Sequence, residues 1–288
     1  MYLYILLLLM AFIVYYVVAA STYRRTDYYK TTHKSFFAMR FNTGNYGEYL
    51  TYRYLRGYET DGARFLYNCY LPKDNGETTE IDVLMIHTSG IYVFESKNYS
   101  GWIFGSERQK NWTQTLPNGR KARKEHFLNP IMQNKLHIKW LKNQVGEDIP
   151  IHSVIVFSER CTLKKIDLTG TDHYVIKRDV LSRTVKHIHS QENGALSKDK
   201  VDEIYAKLYP FTQVTDEQKE QHIQNIVEAD RMNKKSESEK VAASDAGQIL
   251  TCPRCGGKLV LRTAKKGAQA GSHFYGCTNF PKCRYVRK

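Results

Sequence analysis

Residues 79–97 read Thr79-Glu80-Ile81-Asp82-Val83-Leu84-Met85-Ile86-His87-Thr88-Ser89-Gly90-Ile91-Tyr92-Val93-Phe94-Glu95-Ser96-Lys97. Two apolar runs, Thr79–His87 and Ile91–Lys97, flank a tight turn at Thr88-Ser89-Gly90, which predicts a β-hairpin. Both runs are apolar at successive positions, so the strands belong inside a sheet covered on each side. Yet they carry Asp82, Glu95 and Lys97. Side chains two apart on a strand point the same way, so Glu95 and Lys97 share a face. A two-residue loop (Thr88-Ser89) sets Asp82 opposite Glu95, and a four-residue loop (His87–Gly90) sets it opposite Lys97. Either brings the three heads together, whereas an odd loop turns Asp82 to the far face. Two carboxylates and an ammonium on a covered sheet cost desolvation free energy. Mg²⁺ offsets that cost, because it takes hard oxygen ligands and leaves places for water and phosphate oxygens. Lys97 then orients or activates a water for attack on a phosphodiester. The plainer reading is an ordinary Glu–Lys or Asp–Lys ion pair bracing a strand end.

Outward from the hairpin, Gly44–Leu55 reads as a helix and Arg64–Leu71 as a strand ended by Pro72. Asn129-Pro130 opens a helix to about Gln144, with Asn129 as cap and Pro130 in the first turn. Ile151–Phe157 reads as a strand buried on both faces, His173–Ile176 as a further strand, and Ser197–Tyr209 as a helix closed by Pro210. Trp102 and Trp112 are expected to pack against a sheet. Arg120-Lys121-Ala122-Arg123-Lys124 is a basic run, either a phosphate track or a solvated loop. Thr215–Lys240 is a solvated helix giving way to a small, polar linker at Ser236–Gly247.

With these residues in place, the chain resembles the PD-(D/E)XK nucleases, and more closely the nuclease-related domain, NERD. The resemblance rests on Gly44-x-x-Gly47-Glu48, Glu80-Ile81-Asp82, Gly90-Ile91, Phe94-Glu95-Ser96-Lys97-Asn98-Tyr99-x-Gly101 and Asn129-Pro130-x-x-Gln133, over about residues 40–160. It implies Asp82 and Glu95 as ligands of Mg²⁺ or Mn²⁺ and Lys97 as the catalytic lysine. Glu48 is implied as an additional acid, and Gln133 as a polar residue beside the site. Exposed polar positions on a helix are the simpler readings of Glu48 and Gln133. Ser96 faces the other way and has no assigned role. The proline before the first acid in the motif's name is Ile81 here.

Tyr2–Ala20 is a run of 19 uncharged residues, enough helix to cross a hydrocarbon core. Val18-Ala19-Ala20-Ser21 offers a signal-peptidase-like site, but nothing basic precedes the apolar run. Arg24, Arg25, Lys30 and Lys34 follow it instead, which predicts a single-pass anchor with the N-terminus outside and the remainder cytoplasmic.

The net charge of +14 is uneven: residues 250–288 carry nine Lys/Arg and no acid. Such a tail favours a polyanion, nucleic acid or anionic lipid. Cys69 and Cys161 are isolated, as buried small hydrophobes are. Cys252, Cys255, Cys277 and Cys283 form two close pairs, a disulfide set in an oxidising compartment and a Zn²⁺ site in a reducing one. With a cytoplasmic tail the choice is Zn²⁺. Cys252-Pro253-Arg254-Cys255-Gly256-Gly257 and Phe274-Tyr275-Gly276-Cys277-Thr278-Asn279-Phe280-Pro281-Lys282-Cys283 resemble the C-terminal zinc fingers of type I topoisomerases. That implies single-stranded DNA binding through aromatic and basic side chains, here Arg254, Lys258, Arg262, Phe274, Tyr275 and Arg284. Phe280, Lys265, Lys266, Lys282, Tyr285, Arg287 and Lys288 add to the same composition, and some of the aromatics are needed as the ribbon's own core.

The expected fold is α/β, a restriction-endonuclease-like mixed sheet flanked by helices. The expected domains are a transmembrane anchor (1–21), a juxtamembrane segment (22–40), the nuclease-related domain (41–210), a helical and flexible linker (211–249) and a four-cysteine zinc ribbon (250–288). The expected function is a membrane-anchored, metal-dependent nuclease hydrolysing DNA phosphodiester bonds. The alternative is a catalytically inactive, membrane-tethered DNA-binding or scaffold protein.

Overall fold

A computed structural model describes residues 1–118, 121–192, 194–245, 250–264 and 273–287. The chain divides into two units, Met1–His222 and Ile223–Lys288.

The first unit opens with helix α1 (Tyr2–Arg24), whose large apolar side chains are exposed along most of its length. It is long and apolar enough to cross a membrane. Two short helices follow, α2 (Asp27–Thr32) and α3 (Phe36–Phe41), capped by the side chains of Thr26 and Ser35. The segment expected as a simple juxtamembrane stretch is thus folded into the core. Tyr23, Tyr28 and Met39 are buried with Tyr52, Phe65 and Tyr67. Helix α4 (Thr43–Leu55) starts from an Asn42 cap.

Strands β1 (Arg64–Pro72), β2 (Thr78–His87) and β3 (Gly90–Lys97) form an antiparallel meander. The chain then builds β4 (Gly101–Ser106), β5 (Asn111–Asn118) and β6 (Lys121–Leu128), followed by helix α5 (Pro130–Val145). Asn129 caps α5 by accepting the Ile131 N–H. Next come β7 (Ile151–Phe157), β8 (Cys161–Asp167), β9 (His173–Lys177), α6 (Leu181–Glu192) and α7 (Lys198–Leu208).

The main sheet has the order β1-β2-β3-β7-β9, with β3, β7 and β9 parallel. The hairpin therefore sits centrally, covered on both faces. Tyr92 and Phe94 pack with residues of α4 and α6; Ile91 and Val93 pack with residues of α5 and α7. Each fully buried Val, Ile or Phe contributes about 1.5–3 kcal/mol. A second sheet, β6-β5-β4-β8, packs through Ile103 and Trp112 against Ile155 and Phe157. Trp112 stacks on Phe157 as expected, but Trp102 is exposed, with the Lys164 ammonium 5.4 Å from its ring centre. The basic run opens strand β6 instead of forming a loop: Lys124 is exposed and Arg123 pairs with Glu125. Arg120 lies outside the described residues, as does the side chain of Lys121.

Cys69 and Cys161 are buried, and burial pushes their thiols up to about 12 and about 11. Helix α8 (Asp216–Asp245) begins in the first unit and ends in the second. The second unit carries a three-stranded antiparallel sheet of β10 (Leu259–Thr263), β11 (His273–Cys277) and β12 (Val286–Arg287). Of the basic and linker residues named above, 246–249, Lys265, Lys266 and Lys288 lie outside the described residues.

Candidate functional site

The hairpin loop has two residues, because His87 pairs with Gly90 and Val83 with Phe94. Asp82 is therefore set toward Glu95. Beyond Val83 and Phe94 the ladder gives way to a side chain: Asp82 Oδ2 accepts the Ser96 N–H at 2.9 Å. Ser96 thus contributes through its backbone, while its hydroxyl meets Thr51 at 3.2 Å on the α4 side. Lys97 Nζ donates to Glu95 Oε1 at 2.6 Å, and His137 Nε2 donates to Oε2 at 3.1 Å. His137 also meets Thr79 Oγ1 at 2.7 Å.

Glu48 is buried, so the exposed-helix reading does not hold for it. Its Oε2 accepts from Tyr28 (3.1 Å), Asn68 (3.3 Å) and Lys34 (3.4 Å). Asn68, in the left-handed region at φ 49°, also donates to Glu80 Oε1 at 3.0 Å, where Tyr70 donates too at 2.8 Å. Asn tolerates that backbone better than most residues. A polar band therefore runs Lys34–Glu48–Asn68–Glu80 beside the fork between β2 and β3.

The electrostatics follow from this crowding. Burial, together with the carboxylates of Glu95 and Glu48, pushes Asp82 well above the usual range against the pull of Lys97 and the Ser96 N–H. Burial also pushes Glu95 up, but Lys97 and His137 outweigh it and hold the carboxyl at about 2. For Lys97 burial favours the neutral amine, yet Glu95 and Asp82 raise it above its ordinary value. Among the described residues, Asp82 and Glu95 do not form a tight cluster of three with another His, Cys, Asp or Glu.

In the second unit the sulfurs of Cys252, Cys255, Cys277 and Cys283 lie within 4.8 Å of one another, a donor set that fits tetrahedral Zn²⁺. The Gly257 N–H, other sulfurs and Asn279 hold the Cys255 thiol down at about 6. A groove of about 290 Å³ on this unit is lined by Arg262, Phe274, Phe280, Arg284, Tyr285 and Val286. Gly276 leaves the space that Arg262 uses, since a Cβ there would stand 3.0 Å from Arg262 Cδ.

A family model described as the nuclease-related domain matches residues 43–158, and one described as the topoisomerase DNA binding C4 zinc finger matches residues 249–288. An uncharacterized protein of Bacillus anthracis is 34% identical over 162 residues, which are 56% of this chain and 73% of that relative. The chain belongs to the nuclease-related domain family. DNA topoisomerase 1 of Archaeoglobus fulgidus is 31% identical over 108 residues, 38% of this chain and 16% of that protein. DNA topoisomerase 1 of Methanocaldococcus jannaschii is 54% identical over 35 residues, 12% of this chain and 4% of that protein. The chain thus spans a small part of either topoisomerase. No solved structure matches it.

Within this nuclease-related domain, Asp82, Glu95, Lys97 and Glu48 gather at one place. Gln133 is half-buried on α5, and its Oε1 is buried without a hydrogen-bond partner. On α5 it is His137, one turn further on, that touches Glu95. No motif in the sequence marks His137; its one local signal is the i, i+4 step from Gln133, which sets the two on one face of α5. Lys34, Tyr28 and Asn68 also join without a local signal. In the ribbon, Arg262, Phe274 and Arg284 share the groove. Arg254 and Lys258 are exposed elsewhere, and Tyr275 packs with the cysteine core.

Gly47 explains how Glu48 is brought in. A Cβ at Gly47 would stand 2.8 Å from Asn98 Cβ and 3.3 Å from Ser96 Oγ. Glycine therefore lets α4 lie against the end of β3. Gly47→Ala is expected to cost about 1–3 kcal/mol of stability by overpacking. A urea melt with an unchanged midpoint would refute this close approach.

Proposed function

We propose that this protein is a membrane-anchored, divalent-cation-dependent nuclease that hydrolyses DNA phosphodiester bonds and holds nucleic acid with its ribbon. The observation that carries the reading is the meeting of Asp82, Glu95, Lys97 and Glu48 at the fork between β2 and β3. Four carboxylates, Glu48, Glu80, Asp82 and Glu95, stand against the two ammoniums of Lys34 and Lys97. With all four acids ionised, a state that a bound cation would favour against the upward push on Asp82, these buried and half-buried groups carry a two-charge deficit that suits a divalent cation. Asp82 and Glu95 would hold Mg²⁺ or Mn²⁺, with Glu48 adding negative potential nearby. When bound, the ion supplies charge stabilisation at phosphoryl oxygens and a more acidic water.

The chain's own groups divide the remaining work. Glu95, held at about 2, stays ionised and serves as a ligand, not a proton acceptor. Lys97 stays charged, so it orients the attacking water and stabilises negative charge on the phosphate. His137 fixes the second oxygen of Glu95. Arg24 closes α1, and Arg25, Lys30 and Lys34 follow it, which supports a cytoplasmic location for the domains and an external N-terminus.

One observation favours the non-enzymatic reading: both Glu95 oxygens already have protein partners. Cleavage of plasmid and single-stranded DNA by the full-length chain in mild detergent, with Mg²⁺ or Mn²⁺, separates the two. Cleavage by wild type that Asp82→Asn loses supports the enzyme. Binding without cleavage supports the tethered scaffold, and absence of binding sinks both.

For the ribbon, Phe274 and Phe280 suit base stacking, and Arg262 and Arg284 suit phosphate neutralisation. Each of Arg262→Ala and Arg284→Ala is expected to flatten the salt dependence of single-stranded DNA affinity by about 0.7 in log–log slope. Unaltered slopes in both variants would remove the ribbon from the nucleic-acid contact.

A further inference from the structure

A groove of about 450 Å³ lies among the end of α3, the start of α4 and the segments following β3 and β7. Its walls include Arg40, Phe41, Tyr46, Asn98, Ser158 and Arg160. The Arg40 guanidinium sits 4.5 Å over the Tyr46 ring. Arg160 is fixed in place: Nη2 donates to Asn98 O (2.9 Å) and Oδ1 (3.1 Å), and Nε to Ser158 Oγ (3.2 Å). The acid in the wall, Glu159, is paired with Arg178 at 2.9 Å. The groove is therefore cationic, with polar donors at one end and Phe41 at its rim.

From that rim an aromatic ladder runs back to α1. Phe41 stacks on Phe37 at 6.1 Å, Phe37 on Tyr16 at 6.1 Å, and Tyr16 meets Phe12 at 4.6 Å. Phe12, Phe37 and Phe41 are 58%, 60% and 70% exposed. Tyr16 stands four residues before the end of the apolar run at Ala20, about 6 Å along the helix axis. That is the depth to which interfacial helices sink, roughly 5–10 Å.

We infer that this groove binds the headgroup of an anionic phospholipid, whose acyl chains lie along the Phe41–Phe37–Tyr16 ladder. The inference rests on the reading of α1 as a membrane span. Two features favour lipid over nucleic acid. The apolar rim is continuous with α1, and Asn98 lies on the α4 side of β3, opposite Glu95 and Lys97.

The test uses the full-length chain in a neutral detergent, titrated with phosphatidylglycerol or phosphatidylcholine while the melting temperature is followed. Phosphatidylglycerol is expected to raise it by several degrees at concentrations where phosphatidylcholine does nothing. Arg40→Ala and Arg160→Gln are each expected to weaken half-saturation about tenfold. Should Arg160→Gln fail to fold, Arg40→Ala carries the test, since Arg40 lies on a ring at the surface. Equal responses to the two lipids, or an unchanged phosphatidylglycerol response in Arg40→Ala, would overturn the site. So would Arg40→Ala losing affinity for a single-stranded oligonucleotide while keeping the lipid response. Carbonate extraction of wild-type membranes is scored separately. Retention in the pellet leaves the anchor standing whatever the lipid result, and release would overturn the anchor and this site together.

Discussion

Lys97→Ala is expected to slow metal-dependent DNA cleavage by about 100- to 1000-fold, the usual loss when one donor to developing charge is removed. The substitution also acts on the fold. Lys97 and Glu95 form a pair with side chains 16% and 5% exposed, and removing one partner of such a pair costs about 3–5 kcal/mol. Burial would then push Glu95 up, with His137 alone to oppose it. Activity and stability therefore need separate readouts. The double variant Glu95→Gln/Lys97→Ala removes the stranded charge, so a urea melt should show part of the stability restored. Cleavage should stay lost. Full cleavage by Lys97→Ala at wild-type rates would remove the lysine from the chemistry, whatever the melt showed.

Removing zinc should have the next largest effect. Among the described residues, the ribbon's core is three buried cysteines (Cys252, Cys277 and Cys283) and Leu259, with Leu250, Tyr275 and Tyr285 against them, while Cys255 is exposed. So few apolar side chains cannot hold a fold by hydrophobic burial. Structural zinc in comparable small sites contributes about 10–16 kcal/mol. Chelation, or Cys277→Ser, is expected to abolish amide protection in β10 and β11 while β1–β3 and β7 keep theirs. One zinc per chain should be lost in parallel. Protection of β10 and β11 persisting without metal would show that the cysteines are not a folding site.

Much of this was legible in the sequence because it is local. The hairpin, its turn and three of the ionisable residues occur within nineteen consecutive positions, 79–97. Asn129-Pro130 marks the start of α5 by cap and ring alone, and the Cys pairs mark the ribbon by spacing. What was missed depends on partners far along the chain. Strand β6 (Lys121–Leu128) has few apolar residues and is held by pairing to β5, not by its own pattern. Helix α6 buries only Leu181, Val185 and Ile188, a narrow stripe among basic and polar residues. Lys34 reaches Glu48 across 14 positions, Tyr28 across 20, and His137 reaches Glu95 across 42. No periodicity reports such contacts; the sheet order that folds α4 and α5 over opposite faces of β3 creates them.

The claim beneath the enzymatic reading is that Asp82 and Glu95 gather a hard cation where Lys97 also stands. Mn²⁺ binding followed by electron paramagnetic resonance addresses it without relying on turnover. Full-length protein carrying its ribbon zinc should bind Mn²⁺ at the hairpin, and Asp82→Asn should lose that binding while its ribbon and melting temperature persist. Mn²⁺ held equally well by wild type and by Asp82→Asn would contradict the account.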